Sequence, residues 1–138
     1  MSFDLGHYIL DDERQPVECG LMRWARWMQD EQRSKGIVGS TKTELYRVST
    51  VFLGLDHGWG RGPPVLFETM VFDKQRSIVE WHDVLVSIHK SVDEDDFFHR
   101  YSTWDEAEAG HKTLVRRIRR AEAAAKKMVK HGTGFDEP

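Results

Sequence analysis

The stretch Glu44–Phe72, ELYRVSTVFLGLDHGWGRGPPVLFETMVF, decides the fold. Its opening residues 44–55 and closing residues 65–72 are rich in β-branched and aromatic side chains, which fit the pleated surface of a strand. Between them DHGWGRGPP gathers glycine and proline, the residues that punctuate a connection. The segment predicts an antiparallel strand pair. Both faces of it are apolar: Val48, Thr50 and Phe52 lie on one, Val51, Leu53 and Leu55 on the other. A strand with one wet face alternates more cleanly, so the pattern predicts a sheet covered on both sides, by helices or by a second subunit.

Upstream of this pair, His7–Leu10 and Pro16–Cys19 flank the polar run Asp11–Gln15, which predicts a short hairpin or an extended arm. Leu21, Trp24, Ala25 and Met28 then recur at helical spacing and predict a helix over 20–34 with one buried stripe, closed by Gly36. Downstream, Ser77–Ser91 alternates from Val84 through Ile88 well enough for one strand, or for a hairpin turning near His82 and Asp83. The acidic run Asp93–Asp96 lacks the spaced ligands and glycine of a calcium loop and reads as a solvated turn. Phe97–Tyr101 reads as the last strand.

Thr103-Trp104-Asp105-Glu106 fits a capping box and predicts a helix start. From there Trp104, Ala107, His111, Leu114, Ile118, Ala121, Ala125 and Met128 recur in steps of three and four, close to a heptad seam. Gly132 and Gly134 end it. A helix of about 26 residues spans roughly 39 Å, longer than a small domain needs, so its distal part is expected to project or to pair with another chain. The whole predicts one α+β domain over 1–138, a mainly antiparallel sheet of about four strands with an N-terminal helix and a long C-terminal helix.

The chain has 138 residues, 39% hydrophobic and 31% charged, which suits one compact domain and is too short for two well-buried ones. Cys19 is the single cysteine, which excludes an internal disulfide and a multi-cysteine zinc site and fits a reducing compartment. No secretory leader and no apolar run of about eighteen residues is present, so a cytosolic protein without a membrane partner is expected. The net charge of −3 hides a split: residues 1–111 carry −8, the helical end 112–131 carries +7, and Asp136 and Glu137 add −2. Such a basic end can meet an acidic partner, another copy of the chain or a phosphate backbone.

Several residues carry possible chemistry. The loop Asp56–Pro64 offers glycines that let backbone approach a ligand, Arg61 for a phosphate or carboxylate and Trp59 for stacking, with Asp56 and His57 beside them. It leads into a strand, whereas the phosphate-binding glycine motifs need a following helix, so a plain connection is the competing reading. Glu68 shares a face with Leu66, Met70 and Phe72 and must find a partner such as an arginine or have its pKa raised. His111 holds a seam position where leucine is the expected filler; a hydrogen-bonded structural histidine competes with a titrating functional one. The other histidines do not cluster at ligand spacing, and neither a metal nor a cofactor is expected. Arg116, Arg117, Arg119, Arg120, Lys126 and Lys127 surround the second half of the last helix. They describe a nucleic-acid face or, equally, the wet edge of a helix pair in which Trp104, Leu114, Ile118 and Met128 form the oligomer seam.

Val48–Phe72 followed by Arg100–His111, RYSTWDEAEAGH, resembles a group of short proteins encoded by tailed bacteriophages and prophages. The family's link between the two strings is shorter, so 74–97 reads as an insertion. The resemblance implies a phage origin, the sheet-plus-helix core and the host cytoplasm as the setting, and it carries no activity and no functional residues. The expected function is an accessory binding protein rather than an enzyme, one that interferes with host physiology or defence by contacting a host protein or sequestering a small phosphorylated ligand, working as a homo-oligomer. The rivals are a nucleic-acid-binding module on the basic helix, a virion or assembly factor, and a small acid/base enzyme using Glu68, or His57 with His111.

Overall fold

The computed structural model describes residues 6–73 and 98–132. It begins with the expected hairpin: β1 (Tyr8–Leu10) pairs antiparallel with β2 (Pro16–Glu18). Asp11 closes the turn, its Oδ1 accepting from the backbone N–H of Glu13 at 2.8 Å and of Gln15 at 2.9 Å. Two helices follow, α1 (Leu21–Asp30) and the single turn α2 (Gln32–Lys35). The buried line of α1 differs from the expected stripe. Trp27 is buried and Trp24 and Met28 are half-buried, while Leu21 and Ala25 are exposed. The indoles set the line: Trp27 meets the Phe52 ring edge-on at 5.5 Å, and Trp24 Nε1 donates to the carbonyl of Gly54 at 2.9 Å. Gly54 has φ +78°, and a Cβ there would stand 2.9 Å from both Trp24 Nε1 and Met28 Sδ, so no other residue fits.

The main sheet is an antiparallel meander in the order β3 (Ile37–Lys42), β4 (Tyr46–Phe52), β5 (Phe67–Asp73) and β6 (Phe98–Tyr101). The β4–β5 hairpin has Thr50 opposite Thr69 and Phe52 opposite Phe67. Strand β3 is absent from the sequence reading; its apolar content stops at Ile37 and Val38, and its register slips between Ile37 and Gly39. The expected strand or hairpin over 77–91, the acidic turn and the insertion 74–97 lie outside the described residues.

The last helix, α3 (Trp104–Gly132), spans about 43 Å. Its capping box forms: Glu106 N–H donates to Thr103 Oγ1 at 3.1 Å, and Thr103 N–H to Glu106 Oε1 at 3.1 Å. The seam it carries faces the chain's own sheet. Leu114, Val115, Ile118, Ala121 and Ala125 bury Leu45, Tyr46 and Val48, while Trp104 and Ala107 join Ile9, Leu10, Trp27, Phe52, Leu66 and Phe67. This corrects the expected oligomer seam. Trp104, Leu114 and Ile118 are buried within the chain, because a helix lying on a sheet needs the same three-and-four spacing as a helix pair. Met128 lies beyond the described side chains.

The expectation of a helix on the outer face of the sheet is not met among the described residues. Both α1 and α3 lie on the face bearing Tyr46, Val48, Thr50 and Phe52. On the other, no described helix packs, and Ile37, Met70, Phe72 and Phe98 are 38–46% exposed. Arginines cover part of it: the guanidinium of Arg47 sits 4.6 Å from the Phe72 ring centre and that of Arg100 4.7 Å from Phe98. The apolar character that predicted a second layer thus belongs partly to the stems and rings of cation–π pairs.

Candidate functional site

The sequence candidates fall in three separate places. The first is the β4–β5 loop. Asp56 organises it, its Oδ1 accepting from the backbone N–H of Gly58 at 2.7 Å and of Val65 at 2.9 Å. The N–H of His57 donates to the carbonyl of Val65 at 2.9 Å, which closes the loop base. Asp56 and His57 therefore hold the connection in shape. Trp59 is the exception: it is 75% exposed and has φ +55°, in the left-handed region that a bulky residue enters only at a cost. Gly60 and Gly62 follow at φ +74° and +72°, and Arg61 is exposed beside them. An ordered loop thus presents a large aromatic side chain to solvent on a strained backbone.

Glu68 stands on the outer face of the sheet, where Arg100 Nε donates to its Oε2 at 3.2 Å. The arginine partner raised from the sequence is found on the neighbouring strand β6, with Glu68 opposite Arg100 in register. Leu66 does not share this face; it precedes β5 and is buried in the core.

His111 occupies the third place, between α3 and the inner face, 6% exposed. Its Nε2 lies 2.8 Å from Thr41 Oγ1 and its Nδ1 2.7 Å from Thr50 Oγ1. Thr50 Oγ1 is in turn 2.5 Å from Thr69 Oγ1, whose hydroxyl donates to the Tyr101 oxygen at 3.3 Å. One hydrogen-bonded relay therefore crosses all four strands beneath the helix. Burial pushes the pKa of His111 below the ordinary histidine range, which keeps the ring neutral between its two hydroxyl partners. The relay needs room made by glycine: a Cβ at Gly39 would come 2.8 Å from the His111 ring, and one at Gly110 would collide with the Tyr101 ring. His111 and Glu68 project to opposite faces of the sheet, and neither is part of the loop, so no joint acid/base site with His57 forms.

Sequence reasoning missed Thr41, Thr50, Thr69 and Tyr101 as relay members; the available signal was threonine at inward positions of otherwise apolar strands. It also missed Glu122, a buried carboxylate on α3. Its Oε2 accepts from Thr43 Oγ1 at 2.8 Å and from Leu45 N–H at 2.7 Å, which ties the β3–β4 turn to the helix. Lys126 pairs with Glu44 beside it.

The basic residues of α3 occupy the side away from the sheet. Arg120 and Lys127 lie opposite the buried line, with Arg116, Arg119 and Lys126 on the flank toward β3 and Arg117 on the flank toward β6. Among the described residues no three of histidine, cysteine, aspartate and glutamate gather as a metal set. No described helix is long and apolar enough to cross a membrane. Comparison with known proteins finds no match, whether to family models, to curated proteins or to solved structures.

Proposed function

We propose that the chain is a phage-encoded accessory protein that acts in the host cytoplasm by binding a host protein through the β4–β5 loop. The observation that carries this reading is Trp59, three-quarters exposed and held at φ +55° on a loop that Asp56 pins. A left-handed tryptophan is disfavoured where glycine would serve, and such strain concentrates where a side chain has work to do. Rigid, exposed tryptophan is the residue type most enriched among binding hot spots, and Arg61 beside it is another. The resemblance of Val48–Phe72 and Arg100–His111 to short phage proteins supplies the host-cell setting. Small phage proteins outside the virion often act by binding a host component, and no complete nucleophile, base and orienter set is assembled among the described candidates.

The test compares wild type, Trp59→Ala and Trp59→Gly as baits in host lysate, with thermal unfolding of each run alongside. Glycine relieves the backbone at φ +55°, so Trp59→Gly is expected to melt no lower than wild type. Both variants are expected to lose at least about tenfold of whichever protein the wild type retains, and Arg61→Ala to lose less. Retention of the same proteins by folded Trp59→Gly would overturn the reading.

A further inference from the structure

A groove opens between α3 and the edge strand β3, and no residue of the β4–β5 loop lines it. Its volume is about 300 Å³, at the small end for a ligand site, and it is lined by Thr41, His111, Lys112, Val115, Arg116 and Arg119. Lys112, Val115, Arg116 and Arg119 stand at i, i+3, i+4 and i+7, one stripe of the helix, so three cations line one wall. Like charges at these spacings oppose helix formation. Little nearby neutralises them. Lys112 reaches Glu108 at 3.7 Å in an exposed pair, Arg116 makes a long 3.4 Å bond to the Thr113 hydroxyl, and no described carboxylate pairs with Arg116 or Arg119.

The floor of the groove carries two polar groups, Thr41 and His111, beside the apolar Val115. Thr41 Oγ1 is held at 2.8 Å by His111 Nε2, and His111 is itself held from behind by Thr50. Every hydroxyl and the neutral imidazole of this relay can donate or accept, so its protons can point either way along the chain. Negative charge in the groove favours reversing the order set by the Thr69–Tyr101 bond, so that Tyr101 donates to Thr69, Thr69 to Thr50, Thr50 to His111 Nδ1, His111 Nε2–H to Thr41 and the Thr41 hydroxyl outward.

The geometry points to a binding site for the phosphate group of a small phosphorylated molecule, with Arg116 and Arg119 as the guanidinium pair, Lys112 as a third cation and Thr41 as the hydroxyl donor. Guanidinium groups suit phosphate because their planar donors match its oxygens two at a time. The groove's small volume favours a phosphomonoester over a polymer. A nucleic acid strand would instead engage the whole basic side of α3, including Arg120 and Lys127, which lie away from the groove.

Inorganic phosphate is the probe, followed by isothermal titration and by thermal unfolding against chloride at equal ionic strength. Wild type is expected to bind phosphate in preference to chloride and to melt higher with it. Arg116→Ala with Arg119→Ala should weaken binding about tenfold or more, Thr41→Val should weaken it less, and Arg120→Ala with Lys127→Ala, which removes the same charge, should leave it unchanged. Trp59→Gly should bind phosphate as wild type does, which separates this site from the loop. Equal losses in the two double variants would mean diffuse attraction by the whole helix face, and would overturn the site. Amide chemical shifts in the wild-type chain give a second reading that needs no variant: phosphate-induced changes centred on Thr41, His111 and Arg116 support it, and changes spread along the outer side of α3, or no changes, overturn it.

Discussion

His111 shows how one residue sets a pH response. Burial places its pKa below the unfolded value of about 6.5, so the unfolded chain binds a proton more readily than the folded one. The stabilising contribution is therefore complete above that unfolded value and is lost as pH falls from it to the lower folded value. Thermal unfolding of wild type is expected to drop between neutral and mildly acidic pH, and His111→Gln, which cannot take up a proton, should show a flatter profile over the same range. An identical slope in the two would mean that other groups govern the response. The histidine was visible in the sequence as a polar residue in an apolar seam. Its partners were not, because threonine is so common in strands that the inward placing of Thr41, Thr50 and Thr69 is only a weak signal until the register of three strands brings their hydroxyls together.

At the scale of elements, α3 is held by its apolar face and by one carboxylate. Glu122 accepts from the buried Leu45 N–H and the Thr43 hydroxyl, so Glu122→Ala leaves both donors without that acceptor. The expected cost is roughly 1–3 kcal/mol, measured by denaturant unfolding, with Glu122→Gln recovering part of it. A cost near zero would show that water replaces the carboxylate. The capping box, the β4–β5 hairpin and the N-terminal hairpin were all legible, because each rests on local chemistry: a threonine and a glutamate three residues apart, or a glycine-rich break between β-branched runs. β3 was illegible for the opposite reason. IVGSTK has little intrinsic strand character and becomes a strand by pairing with β4. The seam of α3 was read correctly as buried but assigned to the wrong neighbour, since periodicity records that a face is covered and not what covers it.

Across the whole molecule, two apolar clusters share the inner face of one sheet. One gathers the aromatic rings of Trp27, Phe52, Phe67 and Trp104 under the loop end, and the other lies beneath the middle of α3 around Ile118. Phe67 is fully buried and touches both the Phe52 ring at 5.2 Å and the Trp104 ring at 6.2 Å. Phe67→Ala is expected to cost roughly 3–5 kcal/mol. Because β4 belongs to both clusters, tryptophan fluorescence and far-ultraviolet circular dichroism should report the loss at one shared midpoint. Separate midpoints would mean that the clusters unfold independently. The two glycines beside the relay bear on the same assembly. Gly39 on the sheet and Gly110 on the helix are notches cut for the His111 and Tyr101 rings. Sliding α3 by one turn, about 5.4 Å, would bring Ala107 or Leu114 to the Gly39 notch and leave both rings without room. The helix is thereby indexed to a single axial setting, so residues added or lost beyond its distal end change its reach without moving the groove, whereas a one-residue insertion between Thr103 and Gly110 would throw every contact along it out of step.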